Sequence, residues 1–163
     1  MLGRAEGWER TWVLLGMYAG LRAHEIAKLR AEDVNEDFIY VEGKGGRRSM
    51  LPTSPLLWAE VNKYYPRTGY LFPSRGSHIS TGRVSVRVGR LFEELGIEGS
   101  IHRARHTFAT ILLREGAKIR VVQQLMRHAS LATTAAYAAV DEDEMRAAVH
   151  LLPRNDDEGE DAP

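Results

Sequence analysis

Apolar residues along this chain recur mostly at spacings of three and four, the helical period, and only one short stretch is β-prone. Trp8, Trp12, Leu15 and Ala19 predict a first helix that Gly20 stops, and a second covers Ala23–Ala31 with Ile26 and Leu29/Arg30 on alternating faces. Phe38-Ile39-Tyr40-Val41 is β-prone, Gly43-Lys44-Gly45-Gly46 is turn chemistry, and Arg47–Leu51 returns as a partner strand. The result is a small hairpin with a lysine at or beside its tip. Pro55–Tyr65 reads as a helix with proline in its first turn, and Pro66–Ser80 reads as loop.

Ser80 or Thr81 caps a helix to about Leu95, with Val84, Val88, Leu91 and Leu95 on one face and Arg83, Arg87 and Arg90 on another. Helices follow over His102–Glu115 and Ile119–Met126, separated by Gly116, and Ser130 is a candidate cap for a helix through Tyr137. Asp141-Glu142-Asp143-Glu144 fits a helix start with a capping box, and Met145, Val149 and Leu152 form its apolar stripe before Pro153. The predicted fold class is mainly α with a small antiparallel β-hairpin.

At 163 residues the chain has room for one substantial core, and its 44% hydrophobic and 27% charged content is ordinary for a water-soluble protein. It has no cysteine, which excludes disulfides and thiolate metal sites and fits a cytoplasmic location. No apolar run approaches the length of a membrane span. The net charge of zero hides an asymmetry. Residues 154–163 hold five acids against Arg154, and they leave 21 basic against 17 acidic residues in 1–153. The predicted organisation is a catalytic domain over 1–153 and an acidic, disordered tail over 154–163. The positive balance of the main part permits nucleic-acid binding without establishing it.

The chemistry concentrates in His102-Arg103-Ala104-Arg105-His106, in Arg22 upstream, and in the run from His128 to Tyr137 downstream. A phosphodiester under attack gathers negative charge on its non-bridging oxygens, and arginine forks and imidazole donors hold that charge in fixed geometry. Four segments in order, Ala19-Gly20-Leu21-Arg22-Ala23-His24-Glu25, Gly43–Gly46, His102–Thr110 and His128–Tyr137, closely resemble the catalytic domain of the tyrosine recombinases, the phage integrase family. Singly each motif is weak; together and in order they are specific.

The resemblance implies that Tyr137 is the nucleophile and forms a 3′-phosphotyrosyl link with DNA. It implies that Arg22 and Arg105 hold the non-bridging oxygens, that His102 and His128 donate to the phosphate or handle the tyrosine proton, and that Lys44 protonates the departing 5′ oxygen. Tyrosine, with a pKa near 10, needs adjacent cations or a base to act at neutral pH. A lysine on a hairpin supplies a compact, titratable acid that arginine cannot. The family needs no metal and no cofactor, so none is expected. His102 and His106 at i, i+4 raise a metal reading, but Arg103 stands where a zincin has glutamate. A buried hydrogen bond behind Arg105 is the expectation for His106, and a structural role is the expectation for Glu25. Two positions depart from the family pattern. Met126-Arg127 stands where Leu-Gly is usual, so that Arg127 alters the helix end or adds a phosphate contact, and Ala104 stands where leucine is commonest.

Arg83, Arg87, Arg90 and Arg103 are the candidate DNA contacts, with Arg47 beside the hairpin tip; a solvated helix face is the plain alternative. The resemblance further implies double-stranded DNA as partner, a homotetramer on DNA for the full-length protein with the isolated fragment monomeric, and no membrane. It also implies N-terminal DNA-clamping domains that this chain does not contain. Met145, Val149 and Leu152 would dock on a neighbouring protomer, or else pack in cis. The rival functions are a type IB topoisomerase, a telomere resolvase, and a DNA-binding regulator that does not cut.

Overall fold

The periodicity at the start of the chain becomes α1 (Trp8–Ala19), and it forms the centre of the fold rather than a surface helix. Thr11 to Gly16, Tyr18 and Ala19 are all buried, so the helix is covered nearly all round and a one-sided apolar stripe understates it. The computed structural model describes residues 7–43, 46, 48–65, 67–127 and 142–153. Lys44, Arg47, His128, Tyr137, the predicted helix from Ser130, the capping residue Asp141 and the acidic tail lie outside the described residues.

After Gly20, α2 (Ala23–Lys28) is shorter than its apolar pattern predicts, and a 3-10 turn, Ala31–Asp33, follows it. Strands β1 (Phe38–Glu42) and β2 (Arg48–Pro52) pair antiparallel in the register Phe38↔Pro52 to Glu42↔Arg48. Their turn is closed by the Gly46 N–H donating to the Gly43 carbonyl at 3.3 Å, with Gly46 at φ +75°. Helix α3 (Pro55–Tyr64) begins as expected for proline in a first turn, and Ser54 Oγ accepts from the Leu57 N–H. The stretch read as loop holds a two-residue hairpin, β3 (Pro73–Ser74) with β4 (Ser77–His78).

Ser80 caps α4 (Thr81–Glu94) and Ser100 caps α5 (Ile101–Arg114). Helix α6 (Ile119–Leu125) follows, and α7 (Glu142–Val149) packs on α6 and β2. Helices α3, α4 and α5 all pack on α1. Trp12 and Phe72, both fully buried, meet edge to face at 5.7 Å, with Trp8 and Tyr65 also against Phe72. Helices α1 and α5 approach closely. A Cβ built on Gly16 would stand 2.9 Å from the Cβ of Ala104, so two small residues let these helices touch backbone to backbone. That contact brings the end of α1 beside the second turn of α5, where the site forms.

Candidate active site

Gly20 ends α1 in the left-handed conformation, φ +60°, and a Cβ there would come within 2.8 Å of the Phe108 ring. The turn aims the Gly20 carbonyl at α5, where it accepts a hydrogen bond from Nη1 of Arg105. Nη2 of Arg105 donates to the Met126 carbonyl at the end of α6. Arg105 is therefore buried, 5% exposed, and clamped between two helix ends. Burial, then repulsion from Arg22 and Arg127, pushes its guanidinium pKa down to about 10, against the attraction of Glu25.

Arg22 is the N-cap of α2, and Glu25 is its third residue. Glu25 accepts the Arg22 N–H at 2.7 Å on Oε2 and Arg22 Nη1 at 3.2 Å on Oε1. Oε2 also receives Nη2 of Arg127 at 2.7 Å. The Glu25 side chain is wholly buried while that of Arg22 is one-third exposed. Burial pushes the Glu25 carboxyl up. The charge of Arg127, the N–H of Arg22, the Arg127 hydrogen bond and the charge of Arg22 outweigh it and hold the group below the usual carboxylate range. Three guanidinium groups thus face one carboxylate, an excess of positive charge suited to an anion with non-bridging oxygens. Arg22 and Arg105, 83 positions apart in the chain, come together here because Gly20, Glu25 and the end of α6 meet between them.

His102 lies exposed in the first turn of α5, one turn before Arg105 and on the same side of the helix. His106 is also exposed, so the buried hydrogen bond expected behind Arg105 does not form; the backbone carbonyls of Gly20 and Met126 take that place. Arg103 is exposed and packs its stem over Gly99, where a Cβ would stand 2.5 Å from Arg103 Cδ. The arginine face of α4 is not uniform. Arg83 and Arg90 are exposed and make no ion pair among the described residues, whereas Arg87 pairs with Glu9 and lies 6.0 Å over the Trp12 ring. Arg48, beside the hairpin turn, pairs with Asp33. Lys44, Arg47, His128 and Tyr137 lie outside the described residues.

Of the two dispositions expected for the α7 stripe, the structure of this chain shows packing in cis. Met145, Val149 and Leu152 are 9%, 1% and 4% exposed, packed into this chain's own core, so none forms a free docking surface. Polar contacts seat the helix the same way: Glu144 takes Lys118 at 2.6 Å, and Arg146 takes Asp37 at 3.0 Å and covers the Phe38 ring. A cleft of about 660 Å³ opens between α2 and the β1–β2 hairpin. Its charges are neutralised within it by the pairs Lys28–Glu42, Arg30–Glu32 and Arg48–Asp33. Two parts of the site escaped the sequence reading: the carbonyl acceptors on Gly20 and Met126, and the inward turn of Arg127. The available signals were a helix-stopping glycine two residues before Arg22 and an arginine one residue before His128.

Residues 3–144 match the model of the phage integrase family. The tyrosine recombinase XerA of Pyrococcus horikoshii is 36% identical over 149 residues, covering 84% of this chain and 52% of that protein. Among solved structures, the integrase from mycobacterium phage Brujita superposes with a TM-score of 0.82 at 32% identity, covering 98% of this chain and 57% of that one. A lambda integrase tetramer bound to a Holliday junction shares the fold, with a TM-score of 0.63 at 18% identity over 84% of this chain and 44% of that one. The chain spans about half the length of the curated relatives it matches. With the match running through the arginine site and most of the sequence, this chain belongs to the phage integrase family.

Proposed function

We propose that this chain is the strand-cleaving part of a site-specific DNA recombinase. The observation that carries the reading is the convergence of Arg22 and Arg105 around Glu25, one guanidinium partly open to solvent and the other held rigid by two carbonyls. A scissile phosphate beside them would place its non-bridging oxygens against fixed positive charge, with no reorganisation at the moment of reaction.

In this reading the Tyr137 oxygen bonds to phosphorus, the bond from phosphorus to the 5′ oxygen breaks, and Lys44 gives that oxygen a proton. His102 and His128 donate to the phosphate or move the tyrosine proton. Rejoining reverses the step: a 5′ hydroxyl attacks the phosphotyrosine and releases Tyr137, so the energy of the broken bond is conserved. Exposed Arg83, Arg90 and Arg103, with Arg47, would meet the phosphate backbone and position the duplex. The whole protein would work on paired double-stranded sites as a homotetramer in the cytoplasm, with the isolated chain monomeric. The tetramer on a Holliday junction formed by lambda integrase supports the assembly.

The test is trapping on nicked suicide DNA, in EDTA, with the adduct mapped by peptide mass. An SDS-resistant adduct at Tyr137, lost in Tyr137→Phe, is the expected result. DNA binding with no adduct would overturn the reading in favour of a regulator that binds without cutting.

A further inference from the structure

Arg127 stands at φ +50°, in the left-handed region where a residue with a Cβ is less stable than glycine. Its side chain turns inward and is 11% exposed. It donates to the Leu125 carbonyl at 3.1 Å, the Gly20 carbonyl at 3.2 Å and Glu25 Oε2 at 2.7 Å. Two of these acceptors are shared with the phosphate site: the Gly20 carbonyl also takes Arg105, and Glu25 also takes Arg22. The Arg127 carbonyl in turn accepts Nη2 of Arg22 at 3.5 Å. Its Nε is buried with no partner among the described residues. Backbone strain and a partly satisfied buried cation at one residue are both unfavourable, and such a combination persists where it serves a purpose.

We propose that Arg127 is a positioning residue for the two phosphate-binding arginines, holding Glu25 and the Gly20 carbonyl so that Arg22 stays open to the phosphate. The proposal rests on the recombinase reading for what Arg22 and Arg105 bind. Without Arg127, Arg22 is the one residue among those described that still pairs directly with the wholly buried Glu25 carboxylate, and its one-third-exposed guanidinium is drawn inward onto it. The Gly20 carbonyl loses its second donor, and Arg105 loses a neighbour that shares its anchor. Arg127 thus acts through Arg22 and Arg105 rather than on the reacting atoms.

Arg127→Gly and Arg127→Lys in this chain test the idea, read by single-turnover adduct formation, DNA affinity and thermal unfolding. Arg127→Gly relieves the left-handed strain but breaks a buried ion pair, so adduct formation is compared at a temperature where both the variant and the parent are fully folded. The variant's adduct formation is expected to fall on the order of 10- to 100-fold, the scale set by misplacing a transition-state contact, with a much smaller change in affinity. Arg127→Lys, which returns the charge, recovers part of the rate. Unchanged cleavage in Arg127→Gly, or a loss that only tracks unfolding, overturns the proposal.

A second readout needs no reaction: NMR titration of the Glu25 carboxyl together with the guanidinium signals of Arg22 and Arg105. Arg127→Gly is expected to raise the Glu25 midpoint and shift the Arg22 signals; unmoved signals overturn the proposal. If the parent chain forms no adduct, the recombinase reading fails on its own, and the titration still decides whether Arg127 governs Glu25 and Arg22.

Discussion

The carbonyl of Gly20 accepts a hydrogen bond from Nη1 of Arg105, 85 positions further along the chain. That single acceptor joins the end of α1 to α5 and makes a helix-stopping glycine part of the arginine cluster. Gly20→Ala should be damaging on two counts, the left-handed backbone and the Phe108 ring 2.8 Å from the new Cβ. The backbone term alone is about 1–2 kcal/mol. Urea unfolding should show at least that loss, and cleavage measured where the variant is still folded should fall as well, because the carbonyl that fixes Arg105 has moved.

Ala104 is matched to Gly16. Ala104→Leu should destabilise this chain, since the Ala104 Cβ already lies 2.9 Å from where one would stand on Gly16. Overpacking of a close helix crossing costs about 1–3 kcal/mol. An unfolding midpoint at or above that of the parent would show that α1 and α5 can separate without loss.

Glu25 should make stability depend on acid. Its folded pKa lies below the ordinary carboxylate value of 4.5, so the stabilisation is fully present above that value and is lost as pH falls through the lower, folded one. The stability difference between the parent and Glu25→Gln should therefore be flat at neutral pH and close progressively below pH 4.5. A difference that stays constant into strong acid would mean that folding does not shift the pKa of Glu25.

The three arginines of α4 should separate in a salt titration of DNA binding. Arg83→Ala and Arg90→Ala should each lower the slope of log affinity against log salt by about one, the signature of one lost phosphate contact. Arg87→Ala should leave the slope nearly unchanged, because Arg87 is engaged with Glu9 and Trp12. Its cost is structural and small, about 0–1 kcal/mol for a half-exposed ion pair. Equal slopes for all three variants would contradict this division.

Val149 belongs to the core of its own chain. Val149→Ala should lower stability by about 1–3 kcal/mol, as deleting buried methyl groups does. The loss should be the same at every protein concentration, whereas a residue that docks on a second protomer would give a concentration-dependent midpoint.

The elements were largely legible because their signals are local. Helical spacing in α1, α4 and α5, Ser80 and Ser100 as caps, Pro55 in a first turn and the glycine turn after Phe38–Val41 each involve residues a few positions apart. Arg22, His102 and Arg105 stood out through motif order, and the structure brings Arg22 and Arg105 to one place. The burial of α1 on nearly every side was not legible, because a central helix is covered by partners distant in sequence. The same holds for His106: helical position places it one residue after Arg105, but only the packing of α1 and α6 against α5 shows which of the two faces inward.

The sequence by itself determined the class of the fold and most helix boundaries to within a residue or two, with α2 and α7 ending three residues early, and it nominated the side chains proposed to hold a phosphate. Periodicity, caps and charge type are written in neighbouring residues, and the family pattern lies in motif order. The tertiary structure decided how those side chains are held. Backbone carbonyls of Gly20 and Met126 anchor Arg105, Glu25 is shared by two arginines, Arg87 is withdrawn into an ion pair, and the α7 stripe closes on its own core. Those outcomes depend on which backbone groups and which charges meet across long loops, and a carbonyl has no letter in the sequence.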